Sequence, residues 1–406
     1  MIYNIAIHIY LMGVALLSLF DSKVRAMWRG ERQAFDILRQ KASPDDKYIW
    51  FHAASLGEFE QGRPIMEELR HRNPNQKILL TFFSPSGYQV RKNYDGADIV
   101  CYLPLDTPHN SRLFLSLINI EAAFFIKYEF WYNYLHKLRS QSVPVYSVSS
   151  IFRLGQVFFR PYARSYSKVL RCISHFFVQN EISRQLLASI GINNVTVSGD
   201  TRFDRVLQIK SQASRLPLAE AFRGSSRVMV AGSTWPPDEE ILAAFFNQNP
   251  DWKLIIAPHV VSIAHMRQLL SRLGIKSLLW SRASEAEAAK ARCLIIDCYG
   301  LLSSVYAYGD VAYVGGGFGV GIHNILEAAV WDIPVLFGPN NANFQEAKAL
   351  MEVGGGFQID SLEDFADLMG RFTDNPSLAE ECGRKAGDYV SRHSGATRKV
   401  LAAIGL

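Results

Sequence analysis

The chain has 406 residues, enough for two or three domains with full cores. Hydrophobic residues make up 49% and charged residues 20%, which excludes a largely disordered chain. The net charge of +5 suits anionic substrates or an anionic membrane surface and does not call for nucleic acid. The five cysteines form no CxxC pair and are odd in number, which argues against a disulfide framework or a zinc site and for a reducing compartment.

Residues 1–20 are nearly all apolar, broken mainly by Asn4 and His8, and just reach the ~20 residues that cross a bilayer. Lys23, Arg25, Arg29 and Arg32 come next, and the positive-inside rule puts this flank and the rest of the chain in the cytoplasm. A signal peptide fits poorly, since there is no basic n-region and no A-x-A-like site before the charges. A buried core helix is the bland alternative. The expectation is an anchor over residues 1–21, spanning the membrane or lying in its interface.

From Tyr48 onward, short apolar runs alternate with helical patterns. Strands are expected at 48–52, 77–83, 99–103, 122–126, 143–148, 175–178 and 195–198. A second set is expected at 228–231, 253–257, 277–280, 294–296, 311–314 and 334–337. Such alternation implies parallel sheets covered on both faces. The polar stretch 207–226, broken by Pro217 and Gly224, reads as a linker. It divides an N-terminal domain, 22–206, from a C-terminal domain, 227–406, whose last helix is free to pack back on the first domain. Ligands of such sheets bind at the carboxyl ends of strands, so both domains are expected to point loops into a cleft.

Several strand ends carry candidate chemistry. Ser55 and Glu58 open a helix after the first strand. Ser-x-x-Glu is a capping box, and by pattern alone that reading wins; the functional reading makes Glu58 a general base. Glu129 has the same placement after 122–126. Residues 151–173 mix Arg153, Arg160, Arg164, Lys168 and Arg171 with Phe152, Phe158, Phe159, Tyr162 and Tyr166, which suits a phosphorylated or membrane-bound partner. A solvated helix face explains any one of these residues equally well. Ser233 and Thr234 either contact a phosphate or cap the next helix. Pro258, His259 and Asp297 also sit at strand ends, and His259 and His265 lack a matching carboxylate or cysteine constellation.

The stretch VAYVGGGFGVGIHNILEAA, residues 311–329, reads as a buried strand, a glycine-rich turn and a helix from about His323. Gly316 and Gly317 would let the backbone approach a phosphate, and the helix start would favour it. His323 and Glu327 are four apart and would share a helix face, with the carboxylate on ribose hydroxyls. A tight turn in any α/β domain has the same residues.

Together the runs WRGERQAF, HAASLGE, FSPSGY, YLPLDTP, EFW, QNE, SGDTRFD, GSTW with DEE, APH, VGGGFGVGIHN with ILEAA, and PVLFGPNNANF cover nearly the whole chain. They resemble the 3-deoxy-D-manno-oct-2-ulosonic acid (Kdo) transferases that act on lipid A precursors. The resemblance implies a GT-B fold: two Rossmann-like domains facing a cleft, with an N-terminal hydrophobic anchor helix on the cytoplasmic face of the inner membrane. It implies CMP-Kdo as donor, a tetraacylated, diphosphorylated glucosamine disaccharide as acceptor, and inversion with no metal or other cofactor. Glu58 matches the family's base. Glu129 matches an acceptor-side glutamate, with Arg160 and Arg164 as candidates for the acceptor's phosphates. Ser233, Thr234, Pro258, His259, Gly316, Gly317, His323, Asn324 and Glu327 fall at donor positions. The pattern departs at Lys127, where the family has glutamate, at Tyr132 in place of proline, and at Ile322 in place of glycine. No arginine stands in register beside Pro258 and His259, and Gly300-Leu301-Leu302 lacks the family's glutamate. Two other readings of the residues are a nucleotide-sugar epimerase of the same fold and a non-catalytic, membrane-anchored nucleotide-binding protein.

Overall fold

A computed structural model describes residues 2–160 and 164–405. The chain divides into two compact units, Met1–Arg205 with Ser394–Leu406, and Val206–His393.

The first unit is built on seven strands: β1 (Tyr48–Ala53), β2 (Lys77–Phe82), β3 (Ile99–Tyr102), β4 (Ile120–Ile126), β5 (Val145–Ser150), β6 (His175–Val178) and β7 (Val195–Val197). They lie in the order β3-β2-β1-β4-β5-β6-β7, each neighbouring pair parallel. The order reverses between β1 and β4, the kind of switch point where loops part and ligands enter. β1 is buried throughout, because helices cover both faces of the sheet. Its side chains still alternate: Trp50 packs against Phe114, Phe125 and Tyr134 on one face, while Phe51 stacks on Phe124 on the other. Val400 and Leu401, from the helix Ala396–Ile404, complete the second of these cores.

The second unit repeats the plan. Its strands are β8 (Arg227–Thr234), β9 (Trp252–Pro258), β10 (Ser277–Leu279), β11 (Cys293–Ile295), β12 (Val311–Val314), β13 (Val335–Phe337) and β14 (Gly356–Gln358). They run in the order β10-β11-β9-β8-β12-β13-β14, again parallel, with the reversal at β8 and β12. The strand β14 carries Gly356 and only three residues, too little pattern to be visible in the sequence.

Two segments differ from expectation. Residues 207–226 hold the end of the helix Thr201–Gln212 and the helix Pro217–Arg223, where Ala219 and Phe222 are buried. Pro217 occupies the first turn, where its missing N–H leaves no gap, so it starts a helix instead of breaking one. The apolar N-terminus forms α1 (Ile2–Leu17), followed after a turn by α2 (Ser22–Lys41). At 1.5 Å per residue, the 16 residues of α1 span about 24 Å, short of the ~30 Å hydrocarbon layer. No described helix is long and apolar enough to cross a membrane. Asp21 ends the run by accepting from the amides of Lys23 and Val24, which starts α2 before a longer apolar helix can form.

Candidate active site

At the end of β1, Ser55 caps α3 (Leu56–Arg72), accepting from the Glu58 amide at 3.4 Å. The reciprocal half of the expected capping box is displaced. Glu58 Oε2 accepts from the amide of Ala54, at 2.6 Å, one residue beyond the cap. This folds the carboxylate back over the end of β1, where only 9% of the residue is exposed. Burial, followed by the negative charge of Glu129, pushes the Glu58 pKa up to about 7. The Ala54 amide, the Lys127 ammonium and the Ser55 backbone pull the other way and lose.

Glu129 follows β4 across the switch point. Burial alone would raise its pKa, but His52 and the indole of Trp131 outweigh it and hold the carboxyl below its ordinary value. Trp131 Nε1 donates to Glu129 Oε2 at 2.7 Å, and His52 Nε2 stands 3.6 Å from the same oxygen. The Trp50 indole donates to Thr81 Oγ1 at 2.8 Å, and Thr81 Oγ1 lies 2.9 Å from His52 Nδ1. Thr81 Oγ1 also donates to the Phe51 carbonyl at 3.4 Å, which ties this chain of polar groups to β1. A buried and a part-buried carboxylate of opposite tendency therefore share one strand-end site, the arrangement that separates a base from an ionised neighbour.

Lys127 ends β4 with φ 60°, a left-handed conformation unusual for a lysine, and its carbonyl accepts from Ser150 Oγ at 2.6 Å. Behind the site, Asp200 is fully tied down by Gln61 Nε2 at 3.0 Å, Gln179 Nε2 at 3.0 Å and Arg202 Nε at 2.9 Å. Arg160 is exposed and lines a separate cavity with Arg139, Lys168 and Arg171. The side chain of Arg164, and Tyr162 altogether, lie outside the described residues.

In the second unit, β8 extends through Gly232 and Thr234 with a register shift at Ser233, and the next helix, Pro236–Gln248, is capped at Trp235 instead. Ser233 has φ 54°, and Thr234 Oγ1 donates to Glu239 at 3.2 Å, so neither hydroxyl caps the helix. Asp238 supplies the cap, accepting from the Trp235 amide at 2.8 Å, and it also takes Tyr313 Oη at 2.7 Å and the Gly316 amide at 2.9 Å. His265 meets a carboxylate after all: its Nε2 lies 3.0 Å from Glu239, a pair that packing creates across 26 residues of sequence.

The glycine turn differs from its simplest reading in two ways. Gly316 and Gly321 take left-handed φ values of 93° and 105°, and the helix begins only at Leu326, as the four-residue turn Leu326–Ala329. The amides of Gly321 and His323 bond back to the carbonyls of Gly316 and Gly315, which holds 321–324 as a loop. Such a short helix has little dipole to offer. The amides of Gly315, Gly316, Gly319, Gly321, Ile322 and His323 all have protein acceptors, so the turn's role is mainly to place side chains.

His323 and Glu327 accordingly face different partners. Trp235 Nε1 donates to His323 Nε2 at 3.1 Å, which leaves the ring proton on Nδ1. Trp235 and His323, joined edge to edge by that bond, both stack on His259, with centroids 4.8 Å and 4.4 Å away. Burial, then the neighbouring His259, drops the His323 pKa to about 4, so it is neutral at physiological pH. His259, placed after Pro258 by an amide bond to the Thr234 carbonyl at 2.9 Å, is also lowered by burial. Glu327 accepts from Asn324 Nδ2 at 3.0 Å and Ser303 Oγ at 2.5 Å. Asp297 accepts from the amide and hydroxyl of Ser281. Among the described residues no group of three or more His, Cys, Asp or Glu side chains is placed to hold a metal ion.

The family profile for 3-deoxy-D-manno-octulosonic-acid transferase (kdotransferase) matches residues 29–205. The 3-deoxy-D-manno-octulosonic acid transferase of Aquifex aeolicus is 26% identical over 345 residues, covering 82% of this chain and 87% of its own. That of Haemophilus influenzae is 24% identical and covers 88% and 86%. Over most of its length the chain is similar to 3-deoxy-D-manno-octulosonic acid transferases. It is a glycosyltransferase. The transferase is also 26% identical to a bifunctional glycosyltransferase/methyltransferase of Fusobacterium nucleatum, of which it spans 54%. In fold it is similar to the UDP-GlcNAc 2-epimerase of Neisseria meningitidis (TM-score 0.59, 15% identity, 88% of this chain and 99% of that one). It is likewise similar to MurG of Acinetobacter baumannii (TM-score 0.55, 11% identity, 89% and 99%). These likenesses are of fold alone.

Sequence reasoning missed Asp238, the first acid of the DEE run, and His52, which looked like a strand residue. Only the three-dimensional neighbours reveal their roles. The transferase also makes a testable demand at Gly317, where an added Cβ would sit 2.5 Å from the backbone nitrogen of Gly338. Backbone cannot yield as a side chain can, so Gly317→Ala is expected to destabilise the second unit by about 3 kcal/mol. Urea unfolding measures this, and a change under 0.5 kcal/mol would show that the strand ends tolerate separation.

Proposed function

We propose that this transferase moves Kdo from CMP-Kdo to a lipid A precursor, with inversion, using Glu58 as general base. The observation that carries the reading is a buried carboxylate at the switch point with a pKa near 7, beside a second carboxylate that stays ionised. Glu58 would accept the proton of the acceptor hydroxyl as that oxygen bonds to the anomeric carbon of Kdo. The bond from that carbon to the phosphate oxygen breaks, and CMP leaves with the electron pair. Glu129, fixed by Trp131 and His52, would orient the acceptor and keep the Glu58 pKa high. Arg160 and Arg164 would meet the acceptor's phosphates.

On the donor side, Ser233, Thr234, Pro258, His259, Gly316, Gly317, His323, Asn324 and Glu327 would surround CMP. His323, with its proton on Nδ1, would serve as a neutral donor toward the leaving group, and the ring stack would hold it in place. The proposal needs no metal or other cofactor.

Membrane attachment would be interfacial. Ile5, Ile9, Met12 and Leu16 recur at 4, 3 and 4 residues on one face of α1, each more than half exposed. Tyr3 on another face is hydrogen-bonded to Asp106 at 2.7 Å, which moors the helix to its unit. An exposed apolar stripe followed by Lys23, Arg25, Arg29 and Arg32 suits the surface of an anionic leaflet, and the enzyme is proposed to work on the cytoplasmic face of the inner membrane.

The test is direct: purified protein with CMP-Kdo and a tetraacylated lipid A precursor should release CMP and yield a Kdo-bearing lipid. Failure of the wild-type protein to form it refutes the reading. Arg160→Gln should raise the acceptor KM about fivefold with the donor KM unchanged, the scale of one exposed cation. An unchanged acceptor KM would remove Arg160 from the acceptor's path.

A further inference from the structure

The first unit holds a cavity of about 880 Å3 of which the proposed reaction calls on one lining residue, Arg160. Arg139, Arg160, Lys168, Arg171 and His136 line it, and none of its described lining residues is acidic. No carboxylate pairs with any of the four permanent cations among the described residues. Arg139 Nη1 donates to the Arg171 carbonyl at 3.0 Å, and Arg171 Nη2 reaches the Ile190 carbonyl at 3.5 Å. These backbone bonds aim the guanidinium groups but neutralise nothing. Four like charges around one cavity repel each other unless an anion sits between them. Planar guanidinium forks beside an ammonium favour phosphate oxygens in particular.

Position separates this cavity from the proposed base. Arg139 and Arg171 precede β5 and β6, and Ile190 precedes β7, so these residues gather at the amino ends of the strands. Glu58 follows the carboxyl end of β1. A six-residue strand is roughly 20 Å long at ~3.3 Å per residue, so the two places are opposite ends of one sheet.

Position also ties the cavity to α1. Tyr3 on α1 contacts the rings of Tyr132 and Tyr166, with centroids 5.1 and 6.2 Å away. Tyr132 packs on His136 at 4.1 Å, and Tyr166 stacks on Phe158 at 5.4 Å. His136 and Phe158 are both walls of the cavity. Two chains of rings thus lead from the helix with the exposed apolar stripe to the cationic cavity.

We infer that this cavity binds a phosphate group carried by a membrane lipid. The apolar stripe would enter the acyl boundary while the cations take the headgroup, so the unit would be held at two points. Such a phosphate could belong to bulk anionic phospholipid or to the phosphorylated acceptor, and the inference rests on the proposed reaction only in the second case.

The experiment uses the full chain with vesicles of phosphatidylcholine containing phosphatidic acid, and a matched set containing phosphatidylserine at the same surface potential. The double variant Lys168→Gln/Arg171→Gln is expected to bind phosphatidic acid vesicles about thirtyfold more weakly, with a markedly smaller loss on phosphatidylserine. Lys168→Arg should bind like the wild type. A parallel arm measures KM for detergent-dispersed acceptor. Selective loss on phosphatidic acid assigns bulk phospholipid, and a rise in acceptor KM without it assigns the acceptor. Equal loss on both vesicle types would reduce the cavity to general surface charge. No change in either arm, or tight binding of inorganic phosphate without vesicles, would likewise overturn the inference. Wild-type vesicle binding is independent of turnover, so it can stand even if the proposed reaction does not.

Discussion

Glu58→Gln is expected to slow transfer by about 10²–10⁴ while making the protein more stable. Loss of a general base typically lowers the rate by 10²–10⁴, and the amide keeps the shape and the acceptor for the Ala54 N–H. The stability gain comes from the raised pKa. A carboxyl moved from an ordinary 4.5 to about 7 prefers its neutral form in the folded state. Its ionisation is therefore opposed by the fold, and the penalty grows between pH 4.5 and 7 and is fully present above 7. At 1.36 kcal/mol per unit this is about 3 kcal/mol, on an order-of-magnitude reckoning. Glutamine never ionises, so the variant should unfold at higher denaturant than the wild type at pH 8 and at about the same denaturant at pH 4. Equal stability at pH 8 would mean that Glu58 is well solvated and unsuited to its role.

Asp238→Ala should have the largest effect in the second unit. One carboxylate serves Tyr313 Oη, the Gly316 amide and the Trp235 amide, two of them through the same oxygen. Alanine leaves all three donors without an acceptor in a buried place, at a cost of about 4 kcal/mol. It should also raise the KM for CMP-Kdo, because Trp235 contacts both His259 and His323, and Gly316 adjoins His323. Asp238→Asn tests the mechanism. Its amide oxygen can accept both N–H groups while its NH2 donates to the Tyr313 oxygen, so the cost should fall to about 1–2 kcal/mol. Urea unfolding of the three proteins checks this, and equal losses for Ala and Asn would mean that the negative charge, not the hydrogen bonds, matters at this position.

Much of this architecture was legible in the sequence because apolar runs and turn residues are local signals. The runs 175–178 and 311–314 match β6 and β12 residue for residue. What failed depended on neighbours distant in sequence. The run after Gly321 has helical composition, yet bonds from Gly321 and His323 back to Gly316 and Gly315 keep it a loop until Leu326. The turn's amides looked available for phosphate because the sequence hides Asp238, Gly232 and Asn340 as their acceptors. Residues 1–20 have the hydropathy of a spanning segment, but Asp21 and a turn break the helix early. The Ser55–Glu58 pair shows the opposite case. Its capping reading was right about Ser55, and the displacement of Glu58 onto Ala54 is what makes room for a second role.

The central claim is that Glu58, raised to about 7 by burial and then by its neighbour Glu129, takes the acceptor's proton. The most direct measurement is the pH dependence of kcat/KM for Kdo transfer by the wild type and Glu129→Gln. The base works only as the carboxylate, so activity should rise with pH through about 7. Removing the like charge of Glu129 should move that rise to lower pH. A wild-type profile that is flat from pH 6 to 8, or a rise that stays in place in Glu129→Gln, would contradict the account.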